Sequence, residues 1–292
     1  MYEARIIARH GKTYIVEDQS SQQHQCHARS QTMEAVCGDH VHCLQQDNSH
    51  DVIEEILPRH NQITRIDNFR RTKTLAANID HIFIVISPIP EFSFLLIDKY
   101  LACAQANHCK ASIIINKSEL IHQSGTDLNK LESIYKNLVE NFIVTSAKLG
   151  YGINTLRKAL DTETSILVGQ SGVGKSSIIN RLLNKNDIKV MPVSEQIQQG
   201  RHTTSNACAY PVKDSGKIID SPGVRMFTPA FINNDELITG FAEFKTFIGR
   251  CKFNDCQHIN EPGCAIRQAV NDNIIHPSRY QSYIQMTKEL QE

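Results

Sequence analysis

The chain has 292 residues, nine of them cysteine, and its 31 Lys and Arg balance 31 Asp and Glu, so its formal charge at pH 7 is zero. That length corresponds to two or three domains of about 100–200 residues. A composition 40% hydrophobic and 21% charged excludes wholesale disorder and a collagen-like or low-complexity fibre, while zero net charge leaves any RNA contact to local patches.

At the start of the chain, Glu3, Arg5, Arg9, His10 and Lys12 occupy the place where a secretory signal needs an apolar core. No export is expected, and the expected compartment is the cytoplasm. Thiols stay reduced there, and an odd cysteine count argues against a disulfide framework, so the cysteines are read as buried small residues or metal ligands. Short apolar runs at Ala4–Ala8, Tyr14–Glu17, Gln25–Ala28, His40–Leu44 and Val52–Leu57 are divided by polar turn clusters, which predicts a small β-barrel or sandwich over residues 1–68. Arg59, Arg65, Arg70, Arg71 and Lys73 form a basic run at its end, read either as a solvated face or as an RNA contact.

From Ile82 the pattern changes. Buried-type runs at Ile82–Ile86, Ala111–Ile115, Phe142–Thr145, Ser165–Val168 and Lys217–Ile219 alternate with helix-length segments, the mark of a parallel sheet in an α/β domain over residues 69–229. The longest apolar stretch, Ile82 to Ile97, is broken by Pro88, Pro90 and Glu91, well short of the about 20 apolar residues a membrane span requires. No membrane partner is expected.

Two tetrapeptides follow strands in this region. Asn116-Lys117-Ser118-Glu119 resembles the N-K-x-D guanine-recognition motif of GTPases, and Thr145-Ser146-Ala147-Lys148 resembles the S-A-K motif. An acidic side chain in the first accepts two N–H groups on one edge of guanine, and a backbone N–H in the second donates to its O6. A pocket built of such groups rejects adenine because mismatched polar groups stay unpaired. Either tetrapeptide alone is an ordinary strand-end loop.

Gly169-Gln170-Ser171-Gly172-Val173-Gly174-Lys175-Ser176 gives them weight, because it matches G-x-x-x-x-G-K-[ST] between a strand and a helical segment, Ser176–Leu183. The glycines let backbone N–H groups turn inward around a phosphate, and the helix aims its positive end at the same place. Lys175 would reach the β/γ-phosphates and the Ser176 hydroxyl would ligate Mg²⁺, with Ser177 beside it. Gly200-Arg201-His202-Thr203-Thr204 then offers a threonine for the metal, either Thr203 or Thr204, with Thr204 the expected Mg²⁺ ligand. Asp220-Ser221-Pro222-Gly223 fits D-x-x-G, with Asp220 on the metal shell and the Gly223 N–H on the γ-phosphate. Ordinary GTPases place the phosphate loop first, whereas here base recognition precedes it. The domain is therefore circularly permuted, which leaves the site intact because all these loops gather at one sheet edge.

The third region, residues 230–292, carries Cys251, Cys256, His258 and Cys264 in the spacing C-x4-C-x-H-x5-C. Four soft or borderline ligands within 14 residues suit one tetrahedral structural Zn²⁺. Ser278–Leu290, with Tyr280, Tyr283, Ile284 and Thr287, reads as an amphipathic helix open to core packing or to rRNA contact.

These motifs together resemble the ribosome small subunit-dependent GTPase A family, circularly permuted GTPases of bacterial 30S assembly, over nearly the whole chain. The resemblance implies an N-terminal OB-like barrel, a permuted P-loop GTPase domain and a C-terminal α-helical zinc-binding domain. It also implies a monomer that hydrolyses GTP to GDP and phosphate, binds the 30S subunit and its 16S rRNA, is stimulated by that subunit, and leaves after hydrolysis in late maturation. Two positions depart from expectation: Glu119 stands where the family usually has Asp, and Val224 follows D-x-x-G where small GTPases place a water-orienting Gln. The catalytic candidates are accordingly Lys175, His202, Thr203 and Thr204, with His202 either positioning water or merely exposed in its loop. Two other readings stay open: a GTP-switched RNA-binding adaptor in which hydrolysis is incidental, and a P-loop kinase or ATPase, which would need no guanine motif.

Overall fold

A computed structural model of the chain describes residues 1–30, 33–47, 49–66, 71–183, 207–212, 216–220, 229, 231 and 233–291. The first five strands are β1 (Tyr2–His10), β2 (Thr13–Asp18), β3 (Gln23–Ala28), β4 (His40–Leu44) and β5 (Asp51–Ile56). They pair in the order β1-β2-β3-β5-β4, and β4 returns to β1, so the sheet closes into a five-stranded OB-like barrel. Period-2 alternation sends Ala4 and Ile6 of β1 into its core beside Tyr14, Val16, Val41 and Ile53, while Ile7 joins the larger core of the next domain. The register shift between Ile6 and Ala8 lets the strand serve both.

A separate hairpin follows, β6 (Gln62–Ile66) with β7 (Thr72–Ala77), spanning the residue-68 division. The second sheet holds β8 (His81–Ile86), β9 (Lys110–Ile115), β10 (Asn141–Val144), β11 (Thr164–Val168), β12 (Cys208–Pro211) and β13 (Lys217–Asp220), in the order β10-β9-β8-β11-β13-β12. The five runs read from the sequence are the five parallel strands, and β12 adds an antiparallel edge that also meets β1 at Ala8 and Cys208.

Helices cover both faces: α1 (Phe94–Ala106), α2 (Ile121–Ser124), α3 (Leu128–Tyr135), α4 (Ile153–Ala159) and α5 (Lys175–Leu182). Every residue of β8 is buried; Ile82, Ile84 and Ile86 share a core with α1 and α3, whereas Phe83 and Val85 pack with α4 and α5. A strand covered on both sides has no polar face to show, which is why it reads as a continuous apolar run.

The last region contributes α6 (Asn234–Thr239), α7 (Ala265–Asn271) and α8 (Pro277–Gln291). Of the two roles open to α8, the structure gives core packing: Tyr283 and Thr287 are buried, and Tyr283 stands edge-on to Phe241 and Phe244. Among the described residues no helix is long and apolar enough to cross a membrane.

Candidate functional site

Parallel strands all end on the same edge, and that edge collects the loops after β8, β9, β10 and β11 together with the end of β13 at Asp220. The phosphate-type loop leaves β11 at Gly169, whose φ is +139° and where an added Cβ would lie 2.2 Å from the Val85 carbonyl oxygen. Only glycine fits so close to β8 in that conformation. Gly174, at φ +96°, opens α5, and a Cβ there would sit 2.3 Å from Asn116 Nδ2. Lys175 is buried in the first turn of α5 and donates to the Gly169 carbonyl at 2.6 Å and the Gln170 carbonyl at 2.8 Å, while Ser176 and Ser177 are exposed beside it.

Asn116 ties this loop to the base motifs. It is buried, its Nδ2 donates to the Val173 carbonyl at 2.9 Å, and its Oδ1 accepts from the Ala147 N–H at 3.0 Å and the Thr145 hydroxyl at 3.2 Å. Lys117 adopts the left-handed conformation, φ +59°, and its Nζ donates to the Ile89 carbonyl at 2.8 Å. A Ser146 hydroxyl bond, backed by Lys148 and Lys117, holds the Glu119 carboxyl below its usual range. Ser146 in turn accepts from the Leu149 N–H at 3.1 Å. One Glu119 oxygen, Oε2, is buried without a hydrogen-bond partner. A buried carboxylate oxygen with unmet acceptor capacity, at the sheet edge that also holds Lys175, fits the N–H edge of a guanine.

Asp220 ends β13, opposite Cys208 of β12. His202, Thr203, Thr204 and Gly223 lie outside the described residues, as do Arg201, Ser221, Pro222 and Val224. The contacts that sequence reasoning missed are Thr145 to Asn116 and Ile89 to Lys117. No local motif announces a backbone carbonyl as a partner, and Ile89 stood out only as part of a Pro-interrupted apolar stretch.

In the last region, the Cys251, Cys256, His258 and Cys264 ligand atoms all lie within 4.8 Å of one another. His258 Nδ1 is 3.4 Å from both Cys251 Sγ and Cys264 Sγ, and those sulfurs are 4.0 Å apart. A tetrahedral Zn²⁺ with Zn–S of about 2.3 Å sets its sulfurs about 3.8 Å apart, so this Cys3His set is compatible with structural zinc. Backbone N–H groups of Ala265 and Arg267 reach Cys251 Sγ and Cys264 Sγ, the kind of outer hydrogen bond that orients metal-ligating sulfur. From α8, the Tyr280 hydroxyl donates to the His258 carbonyl at 2.8 Å and the Tyr283 hydroxyl to the Gln257 carbonyl at 3.0 Å.

Comparison with known proteins decides the family. The RsgA GTPase family model matches residues 56–229. The chain belongs to the RsgA GTPase family. A small ribosomal subunit biogenesis GTPase RsgA of Saccharophagus degradans is 38% identical to it, over 98% of this chain and 86% of that protein. The protein of the same name from Histophilus somni is 35% identical over 99% of this chain and 84% of its own length. Among solved structures, the crystal structure of YjeQ from Thermotoga maritima superposes with a TM-score of 0.78 at 30% identity, covering 99% of this chain and 98% of that one. YloQ, described as a circularly permuted GTPase, gives 0.76 at 26% identity over 100% of this chain and 95% of its own. This RsgA GTPase family member is a GTP hydrolase on a circularly permuted GTPase fold, and GTP, GDP and Mg²⁺ are the ligands its family implies.

Proposed function

We propose that this GTPase acts in biogenesis of the small ribosomal subunit, binding that subunit and its 16S rRNA, turning over GTP faster when bound, and leaving after hydrolysis in late maturation. The names of its relatives say small ribosomal subunit biogenesis of those proteins. What supports a working nucleotide site in this chain is Asn116, one side chain bonded to both the phosphate-type loop and the S-A-K loop.

In this reading Lys175 binds the β/γ-phosphates, Ser176 and Thr204 ligate Mg²⁺, and Asp220 holds the metal shell. Gly169 to Ser177 cradle the phosphates. Glu119 accepts the guanine N–H edge with Ser146, Ala147 and Lys148 around the base. The Gly223 N–H meets the γ-phosphate, and His202 positions water because Val224 cannot. The division into a barrel (1–68), a GTPase unit (69–229) and a zinc unit (230–292) follows the same reading, as does a cytoplasmic monomer.

The RNA contact draws support from the β6–β7 hairpin, where Arg65 stands directly opposite Lys73. Like charges facing across a strand pair repel, and an RNA backbone relieves that repulsion. Arg65 Nε is buried with no hydrogen-bond partner. Arg59, by contrast, pairs with the buried Asp39 at 2.6 Å and is structural.

The deciding experiment is GTP hydrolysis at fixed Mg²⁺ with and without purified 30S subunits, with ATP as control. Large stimulation with GTP alone is the expected result. GTP binding without stimulation moves the reading to a nucleotide-switched RNA-binding adaptor, which Val224 in place of Gln keeps open.

A further inference from the structure

We propose that α1 couples the C-terminal region to the phosphate-binding loop, with Tyr100 as the positioning residue that holds Gly169. The proposal rests on reading that loop as the phosphate site of a guanine nucleotide. Residues Ile97 to Ala104 of α1 are buried without a break, so the helix has no solvent face in its middle. At 3.6 residues per turn, positions two apart lie about 200° around the axis, so Asp98 and Tyr100 point to nearly opposite sides.

One side belongs to the C-terminal region. Asp98 Oδ1 accepts from Arg279 of α8 at 2.8 Å and from the Tyr135 hydroxyl at 2.9 Å. Arg279 also pairs with Glu243 at 2.7 Å and lies 4.6 Å over the Phe241 ring, buried throughout. One turn on, a Cβ at Gly240 would come within 2.8 Å of Ala102 Cβ and 2.9 Å of its backbone. Lys99 is bound by Glu289 near the end of α8. Through these close contacts a shift of the C-terminal region would be passed to α1.

The other side meets the nucleotide loop. Tyr100 and Ile97 line a narrow apolar cleft with Val85, Gly169 and Val173. The Gly169 backbone hydrogen-bonds the Tyr100 hydroxyl, and Gly169 has the Val85 carbonyl against its other flank. The first glycine of the loop is thus fixed by one hydroxyl on a helix that the C-terminal region grips two residues earlier.

The test is the dissociation rate of a fluorescent GDP from the full chain at fixed Mg²⁺, for wild type, Tyr100→Phe, Arg279→Lys and the double variant. Tyr100→Phe removes one hydrogen bond and should speed release about three- to tenfold, raising KM for GTP with kcat unchanged and lowering the melting temperature by no more than a few degrees. Arg279→Lys, which loosens the grip on Asp98, should speed release as well. The double variant should be no faster than the faster single one, because both act on one element. Multiplying effects, or a wild-type rate in Tyr100→Phe, overturns the coupling. If Arg279→Lys does not fold, Glu289→Gln takes its place in the same cycle with the same criterion. A wild-type chain that fails to bind GDP overturns the nucleotide reading and the proposal with it.

Discussion

The amide of Asn116 spans two loops that are separated by 26 residues of chain, its nitrogen on Val173 and its oxygen on Ala147. Neither loop could hold its conformation as well alone, since each would leave a buried backbone group unpaired. Lys175 sits on the same loop with its ammonium on two carbonyls, bonds that phosphate oxygens would replace in the proposed reading. Lys175→Ala should therefore cut GTP turnover by about 10²–10³-fold, the usual cost of losing one preorganised charge-stabilising donor, and unchanged subunit-stimulated turnover would remove this loop from the reaction. Glu119 gives a second handle. A Ser146 hydroxyl bond holds one end of its carboxylate. Glu119→Ala should weaken GDP binding about 10–100-fold, the worth of hydrogen bonds to a charged acceptor, and leave ADP binding where it was; equal losses for the two nucleotides in a fluorescence titration would contradict a base contact. Lys175 and Glu119 could be picked out of the sequence as candidates because their motifs are local and their spacing has one physical cause. Arg59 was not: a run of cations looks alike whether solvated or paired, and its partner Asp39 lies 20 residues away.

At the scale of elements, legibility follows burial. Strands β8 and β11 bury every residue, and their apolar runs stood out. The hairpin β6–β7 did not, because Gln62-Ile-Thr-Arg-Ile66 and Thr72-Lys-Thr pair through backbone with little apolar alternation. Strand β12 is a four-residue edge ending in Pro211, too short to show a period. Strand β8 also carries a buried histidine at its start. His81 bonds Glu163 at 2.9 Å and the Ser112 hydroxyl at 2.8 Å, and Lys110 pairs with the same Glu163. Burial pushes the His81 imidazole below its ordinary value, against the pull of Glu163. The unfolded chain takes up this proton near pH 6.5 and the folded chain only at lower pH. Between those two values the unfolded state binds more protons, so stability falls as the pH falls. His81→Gln should flatten the decline in urea midpoint between pH 7.5 and 5.5 relative to wild type; an equal decline in both would take His81 out of the acid response. The tight contact of α6 with α1 yields a different prediction. Gly240→Ala drives a methyl into the Ala102 backbone, and such overpacking costs about 1–3 kcal/mol, to be read as a lower denaturant midpoint.

Across the whole molecule, the core is shared: one cluster runs from Ile7 of the barrel through α1 to Tyr283 and Met286 of α8. No sequence pattern reports such a cluster, because Asp98 and Arg279 meet across 181 residues of chain. The zinc loop hangs on this core by two hydroxyls, Tyr280 on His258 and Tyr283 on Gln257. Removing the metal withdraws the thiolate and imidazole bonds that fold residues 251–264, but the aromatic packing of Phe241, Phe244 and Tyr283 does not depend on it. Chelation should therefore unfold the loop and weaken 30S binding, seen as a loss of subunit-stimulated hydrolysis of about tenfold or more, while GDP affinity changes by no more than a few-fold. That asymmetry separates two ways the C-terminal region could serve the enzyme. A loop that only docks on the subunit can be lost without touching the nucleotide, whereas the Arg279 grip on α1 belongs to the core beneath and survives the loss. Nucleotide binding abolished by chelation, with subunit binding intact, would reverse the assignment and place the metal loop on the side of the nucleotide.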